Sequence, residues 1–200
     1  MFALNDVCIR TVIKSELLSY YSSDHDTLVM EELGVRHGSA RVDIAVINKA
    51  LQAIEIKSDC DNLDRLPHQI RVYGSVFDRI TLVVGSRHVD RATEMIPNWW
   101  GIRLAEMSQS DQVHISTIRE PQDNPTQEIL AVTKLLWRAE ALSLLEELDA
   151  ADGFYSKPRA VIYACLVKAA DSEWLRERIR QQLRSRTNWR SDVQQKSCDG

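Results

Sequence analysis

No stretch of this 200-residue chain approaches the roughly 20 consecutive apolar residues that a membrane-spanning helix needs. The N-terminal run MFALNDVCIRTVIKSELL carries Asp6, Arg10 and Lys14 within its first apolar stretch, a pattern that excludes a signal peptide. No lipidation motif, internal repeat or low-complexity tract is visible. Cys8, Cys60, Cys165 and Cys198 are far apart and form no C-x-x-C pair, and the five histidines are equally scattered. That spacing argues against a structural zinc site and fits reduced thiols. The expected location is the cytoplasm, away from any membrane. Net basicity is missing as well. A formal charge of −4 excludes a molecule that is basic overall and binds nucleic acid through bulk charge alone.

What is present is enough to fold. With 44% hydrophobic and 27% charged residues, the chain can build a sizeable core, and its length suits one domain with a small appendage. Residues 1–120 carry the whole net charge, and residues 121–200 balance. Within the second part, six arginines lie between positions 176 and 190. Arg176, Arg180 and Arg184 share one helical face. Such a stripe either tracks a phosphate backbone or is a solvated helix face.

Periodicity predicts an amphipathic helix over 6–21, then strands over 27–35, 40–47 and 51–58. The short Asn48-Lys49-Ala50 break demands a hairpin between the second and third strands. A helical face follows over 59–78, with Pro67 marking a break or a second start inside it. Residues 79–85 (RITLVVG) read as a buried strand, 88–96 as a short helix, and 100–107 and 113–118 as weaker strands. The Pro-containing segment 119–126 is the expected linker. Helices are expected over 127–149, 158–170 and 172–186, with a polar tail after Trp189. Trp99-Trp100 is expected as a packing anchor.

The hairpin has chemical content. Glu55 and Lys57 are two apart and share a strand face. If the turn closes around 48–50, Asp43 faces Glu55 across the ladder, with side chains about 5 Å apart. Two carboxylates that close repel unless a cation lies between them, and a hard divalent ion such as Mg²⁺ (or Mn²⁺) is the natural partner. Lys57 would then orient a water or stabilise charge on phosphorus. Arg65 and Arg71, on the following helix, are candidates for substrate backbone contacts.

The run RVDIAVINKALQAIEIKS resembles the core of the PD-(D/E)XK nuclease superfamily: an Asp ending one strand (Asp43) and Glu-x-Lys on the next (Glu55-Ile56-Lys57). The motif's proline is replaced by Val42. Gln69-Ile70-Arg71-Val72-Tyr73 resembles the Gln-x-x-x-Tyr element of the RecB-like branch, and EIKSDCDNLDRLPHQIRVYGSVFDRITLVVG is similar to a family of small bacterial and phage proteins assigned to the superfamily. The resemblance covers most of 27–100 well. It covers the C-terminal part, with LLWRAEALSLLEEL and SKPRA, loosely.

The resemblance implies an α/β fold with a restriction-endonuclease-like core, a mixed central sheet flanked by helices, and a C-terminal helical subdomain. The corresponding divisions are 1–120, 127–190 and a flexible tail at 191–200. It implies a metal-dependent nuclease acting on nucleic acid, most readily DNA. Asp43, Glu55 and Glu32 would be the metal ligands, with Glu16 the alternative to Glu32. Lys57 would serve the attacking water, and Gln69 and Tyr73 would contact metal-bound water or substrate. A homodimer is compatible. The alternative is a nuclease-fold protein that binds DNA or a protein partner without cutting it.

Overall fold

The structure is a computed structural model that describes residues 4–36, 38–109 and 111–187. His37 and the expected tail, from 188 onward, lie outside the described residues. The chain opens with helix α1 (Asp6–Tyr20), whose first turn is capped by the Asn5 side-chain oxygen, Oδ1, accepting the Cys8 N–H at 3.0 Å. Strands β1 (Leu28–Val35), β2 (Ala40–Ile47) and β3 (Leu51–Lys57) follow as expected. Helix α2 (Leu66–Gly74) leads to β4 (Arg79–Gly85), α3 (Val89–Met95) and a hairpin of β5 (Gly101–Met107) and β6 (Val113–Arg119). Four helices close the chain: α4 (Ile129–Thr133), α5 (Arg138–Glu147), α6 (Arg159–Ala169) and α7 (Ser172–Ser185).

The six strands form one mixed sheet in sequence order. The pairs β3–β4 and β4–β5 are parallel, and the rest are antiparallel. Two parallel crossovers progressing in one direction put α2 and α3 on the same face, because such crossovers are right-handed. That face carries the larger core. Val72, Phe77 and Ala92 pack there with Ala53, Leu82 and Trp100, and with Leu144, Leu175 and Ile179 from the C-terminal helices. The C-terminal helices therefore share one continuous core with the sheet. The other face is covered by α1, whose Ile9 and Ile13 pack on Ile44, Ile56 and Val83.

Three sequence expectations are corrected. The helix over 59–78 does not begin at Asp59. Residues 58–65 form turns, since the Asp61 carboxylate accepts the Ser58 N–H (2.8 Å) and hydroxyl (2.6 Å) and so competes with helical bonding. Pro67 then sits in the first turn of α2, where its missing N–H costs nothing. The helix over 127–149 is two helices. Trp137 is extended, its N–H donates to Glu140 at 2.7 Å, and the Leu135 carbonyl accepts from Arg186, some fifty residues away. The segment 119–126 is held rather than loose. Asn124 donates to the carbonyls of Gly74 (2.6 Å) and Phe77 (2.7 Å), and the Gln122 N–H donates to Trp99. Trp100 is fully buried, as a packing anchor should be.

Candidate functional site

The hairpin register matches the expectation, with Ile44 opposite Ile54 and Ala45 opposite Ala53. The ladder stops there, one pair short of Asp43 and Glu55. The cause is local. One Asp43 oxygen, Oδ2, accepts the Ile56 N–H at 2.7 Å, so a side chain takes the place that a strand carbonyl would fill.

The same position is a slip in the pleat. Met30 and Leu33 of β1 both join the larger core, as do Val42 and Ala45 of β2, although strict alternation would put each pair on opposite faces. Between them, Glu32 adopts a positive φ of 60°, and no pairing joins it to Asp43. The slip leaves both carboxylates at the break and lets Val35, Leu33 and Val42 reach the core.

Glu55 and Lys57 point into the α2 side and are almost completely enclosed, at 2% and 4% exposure. Lys57 Nζ lies 2.5 Å from Glu55 Oε1, and Gln69 donates to the same oxygen. Tyr73 Oη is 2.9 Å from Glu55 Oε2 and 2.6 Å from the Arg41 carbonyl. Tyr73 has one proton for these two acceptors. The phenol therefore donates to one of them at a time. Burial, then the charge of Asp43, pushes Glu55 up to about 7, against the pull of Lys57. Burial and Glu55 likewise raise Tyr73. Gln69 Oε1 is buried with no hydrogen-bond partner among the described residues.

Asp43 is served from the other face. Arg10 of α1 donates to its Oδ1 at 2.7 Å, to its carbonyl at 3.1 Å, and to Glu32 Oε1 at 3.1 Å. Burial still raises the Asp43 carboxyl above the usual range, outweighing the Ile56 N–H and Arg10. Asp43 and Glu55 thus share electrostatics but have separate protein cations. Among the described residues no group of three or more His, Cys, Asp or Glu side chains is assembled to hold a metal ion. No sequence signal flagged Arg10. Its partners are 22 and 33 residues away, so only the packing of α1 reveals it.

Residues 7–197 match the family described as Bacteriophage P4 protein cII. This chain belongs to that family. Protein cII of Enterobacteria phage P4 is 34% identical over 77 residues, a stretch that covers 38% of this chain and 29% of the phage protein. No solved structure matches the chain.

In this cII-family protein the remaining candidates fall into two places. Arg65, just before α2, and Arg71 within it are exposed beside the helix residues Gln69 and Tyr73, and neither side chain has a hydrogen bond or ion pair among the described residues. Arg176, Arg180 and Arg184 lie on α7 and are engaged within the fold. Arg176 bonds Gln127 (2.7 Å) and Glu173 (2.6 Å), Arg180 bonds Glu177 (2.9 Å), and Arg184 donates to the Asn48 carbonyl (2.8 Å). Asn48 precedes β3 and Glu55 nears its end, so the stripe stands roughly 20 Å of strand away from the carboxylates. Glu16, the alternative first acid, pairs with Arg103 at 2.8 Å, apart from Asp43. Glu31 pairs with Lys14. Gly85 of β4 lies against Asp59 in the turn that follows Lys57. A Cβ there would lie 2.2 Å from Asp59 Oδ1, so the turn that follows Lys57 can pack only against glycine.

Proposed function

We propose that this protein is a metal-dependent nuclease of the PD-(D/E)XK kind, acting on DNA, with Asp43 and Glu55 as the metal-binding pair. One observation carries the reading. Glu55 and Lys57, which would be a solvated pair on an ordinary hairpin, are instead enclosed with Gln69 and Tyr73 and coupled to the charge of Asp43. A buried carboxylate pushed up to about 7 by burial and a second carboxylate is a place short of positive charge.

The donor set fits a hard divalent ion in kind. Mg²⁺ binds through one or two carboxylates and keeps several waters, so three acids are not required. The unclaimed Gln69 Oε1 is a ready acceptor in the same cluster. An ion held by Asp43 and Glu55 would supply polarisation of a phosphate and a water of lowered pKa. The chain's own residues do the rest. Lys57 holds a proton donor beside Glu55 and supplies a positive charge for the oxygen that develops charge on phosphorus. Tyr73, anchored on the Arg41 carbonyl, fixes Glu55 Oε2. Arg65 and Arg71, exposed at the start of α2 and within it, would hold substrate phosphates. The reading assumes the cytoplasm, where DNA and Mg²⁺ are both at hand.

The test pairs binding with cleavage. The wild type should bind Mg²⁺ or Mn²⁺ saturably by calorimetry and cut linear, circular or branched DNA. Asp43→Ala and Glu55→Ala should each lose both. Unchanged ion binding in both variants would reject the site. A second reading is a nuclease-fold protein that binds DNA or a protein partner without cutting, as an inhibitor or repair accessory does. The hold of Arg10 on Asp43 and Glu32 favours it. DNA binding without any nicking in Mg²⁺ or Mn²⁺ would select it.

A further inference from the structure

Arg10 uses all five of its N–H donors. Nε donates to Asp6 Oδ2 (3.1 Å). Nη1 donates to Glu32 Oε1 and the Asp43 carbonyl (both 3.1 Å). Nη2 donates to Asp43 Oδ1 (2.7 Å) and Asp6 Oδ1 (3.4 Å). Its side chain is 18% exposed. One guanidinium therefore bonds three carboxylates, Asp6 on its own helix and Glu32 and Asp43 at the slip in β1 and β2. One of these, Asp43, belongs to the proposed metal-binding pair, and Glu32 stands beside it at the break between β1 and β2.

We infer that Arg10 is a built-in counter-cation that competes with a divalent ion for Asp43, and that ion binding requires its side chain to swing off the sheet. The inference rests on the metal reading of the site. The fold supplies both positions. In the seated one, three of the five bonds run to β1 and β2. In the released one, Asp6 retains the guanidinium, because it lies one helical turn away on α1 and is half-exposed. The helix itself need not leave. Ile9 and Ile13 stay buried, and Lys14 with Glu31 and Glu16 with Arg103 still tie α1 to the sheet. Glu32 keeps Arg41, whose Nη1 lies 3.3 Å from its other oxygen. A single charge on a flexible stem is thus set against a doubly charged ion at the same oxygens.

The experiment uses the full chain. MnCl₂ and MgCl₂ binding is measured by calorimetry, and free Mn²⁺ by electron paramagnetic resonance, for wild type, Arg10→Met and Arg10→Lys, with folding checked by circular dichroism. If Arg10 holds the seat more than about nine-tenths of the time, Arg10→Met should tighten ion binding about tenfold or more. Arg10→Lys, which keeps the charge, should stay near wild type. A merely structural arginine would give the opposite order, with binding weakened or unchanged in Arg10→Met, and that result overturns the inference while leaving wild-type ion binding intact. If no protein binds either ion, the metal reading falls and the inference with it. If Arg10→Met does not fold, the wild type still decides. Saturating MgCl₂ should shift the Arg10 Nη–H resonances, whose partners on the sheet are lost, and speed their exchange with solvent, and resonances that do not move overturn the inference.

Discussion

Glu55→Gln tests the electrostatics of the site through stability alone. In the folded protein Glu55 is raised from its ordinary 4.5 to about 7, chiefly by burial and then by Asp43. Between those values the folded state holds a proton that the unfolded chain has released. The folded state binds more protons, so stability falls as pH rises through this window and levels off above it. The rise from 4.5 to about 7, at about 1.4 kcal/mol per tenfold change in proton affinity, gives about 3 kcal/mol between pH 4.5 and 8.5. Glutamine has nearly the same shape and does not ionise, so the variant lacks this loss. Urea denaturation at both pH values gives a double difference from which other titrating groups largely cancel. The Glu55→Gln protein should gain on the wild type by about 3 kcal/mol from the lower pH to the higher. A change below about 1 kcal/mol, or of opposite sign, would refute the claim that Glu55 is enclosed and short of positive charge. Adding MgCl₂ should flatten the wild-type dependence, because a bound cation favours the ionised carboxylate.

Other expectations follow from the same geometry. Lys57→Ala should lower cleavage a hundredfold or more, about 3–4 kcal/mol, while DNA binding measured by anisotropy changes little; equal rates in both proteins would remove Lys57 from the chemistry. Replacing Arg65 and Arg71 with alanine should weaken DNA binding and reduce its salt slope by up to about one logarithmic unit per lost phosphate contact. Replacing Arg176, Arg180 and Arg184 should mainly lower the urea midpoint, since these arginines hold Gln127, Glu177 and the Asn48 carbonyl; a larger loss of DNA affinity than for Arg65 and Arg71 would move the nucleic-acid path to that end of the sheet. Gly85→Ala should destabilise the protein by about 1–3 kcal/mol, because its Cβ would overlap Asp59 in the turn after Lys57; a midpoint equal to wild type would show that the turn moves freely.

Local pattern was enough for the frame of this protein. Alternation and β-branched residues place β1 to β4, and the two-period fixes Glu55 and Lys57 on one face whatever surrounds them. The short Asn48–Ala50 turn sets the hairpin register, since a tight turn leaves few ways to pair the strands it joins. Pro67 marks the start of α2 because a ring without an N–H is tolerated there. Tertiary structure decided what these residues meet. The pairing of Asp43 with the Ile56 N–H ends the ladder, and the slip at Glu32 turns two strands over, because a carboxylate outcompetes a carbonyl only when the neighbouring strand is in place. The break at Trp137 depends on Arg186 reaching Leu135 and Glu140 from the far end of α7. Arg10 looks like any surface cation of an amphipathic helix until α1 docks on the second face of the sheet and carries it onto Asp43 and Glu32. Propensity acts over a few residues and was legible in the sequence. These ion pairs close loops of 22 to 46 residues, and only packing determines which loops close.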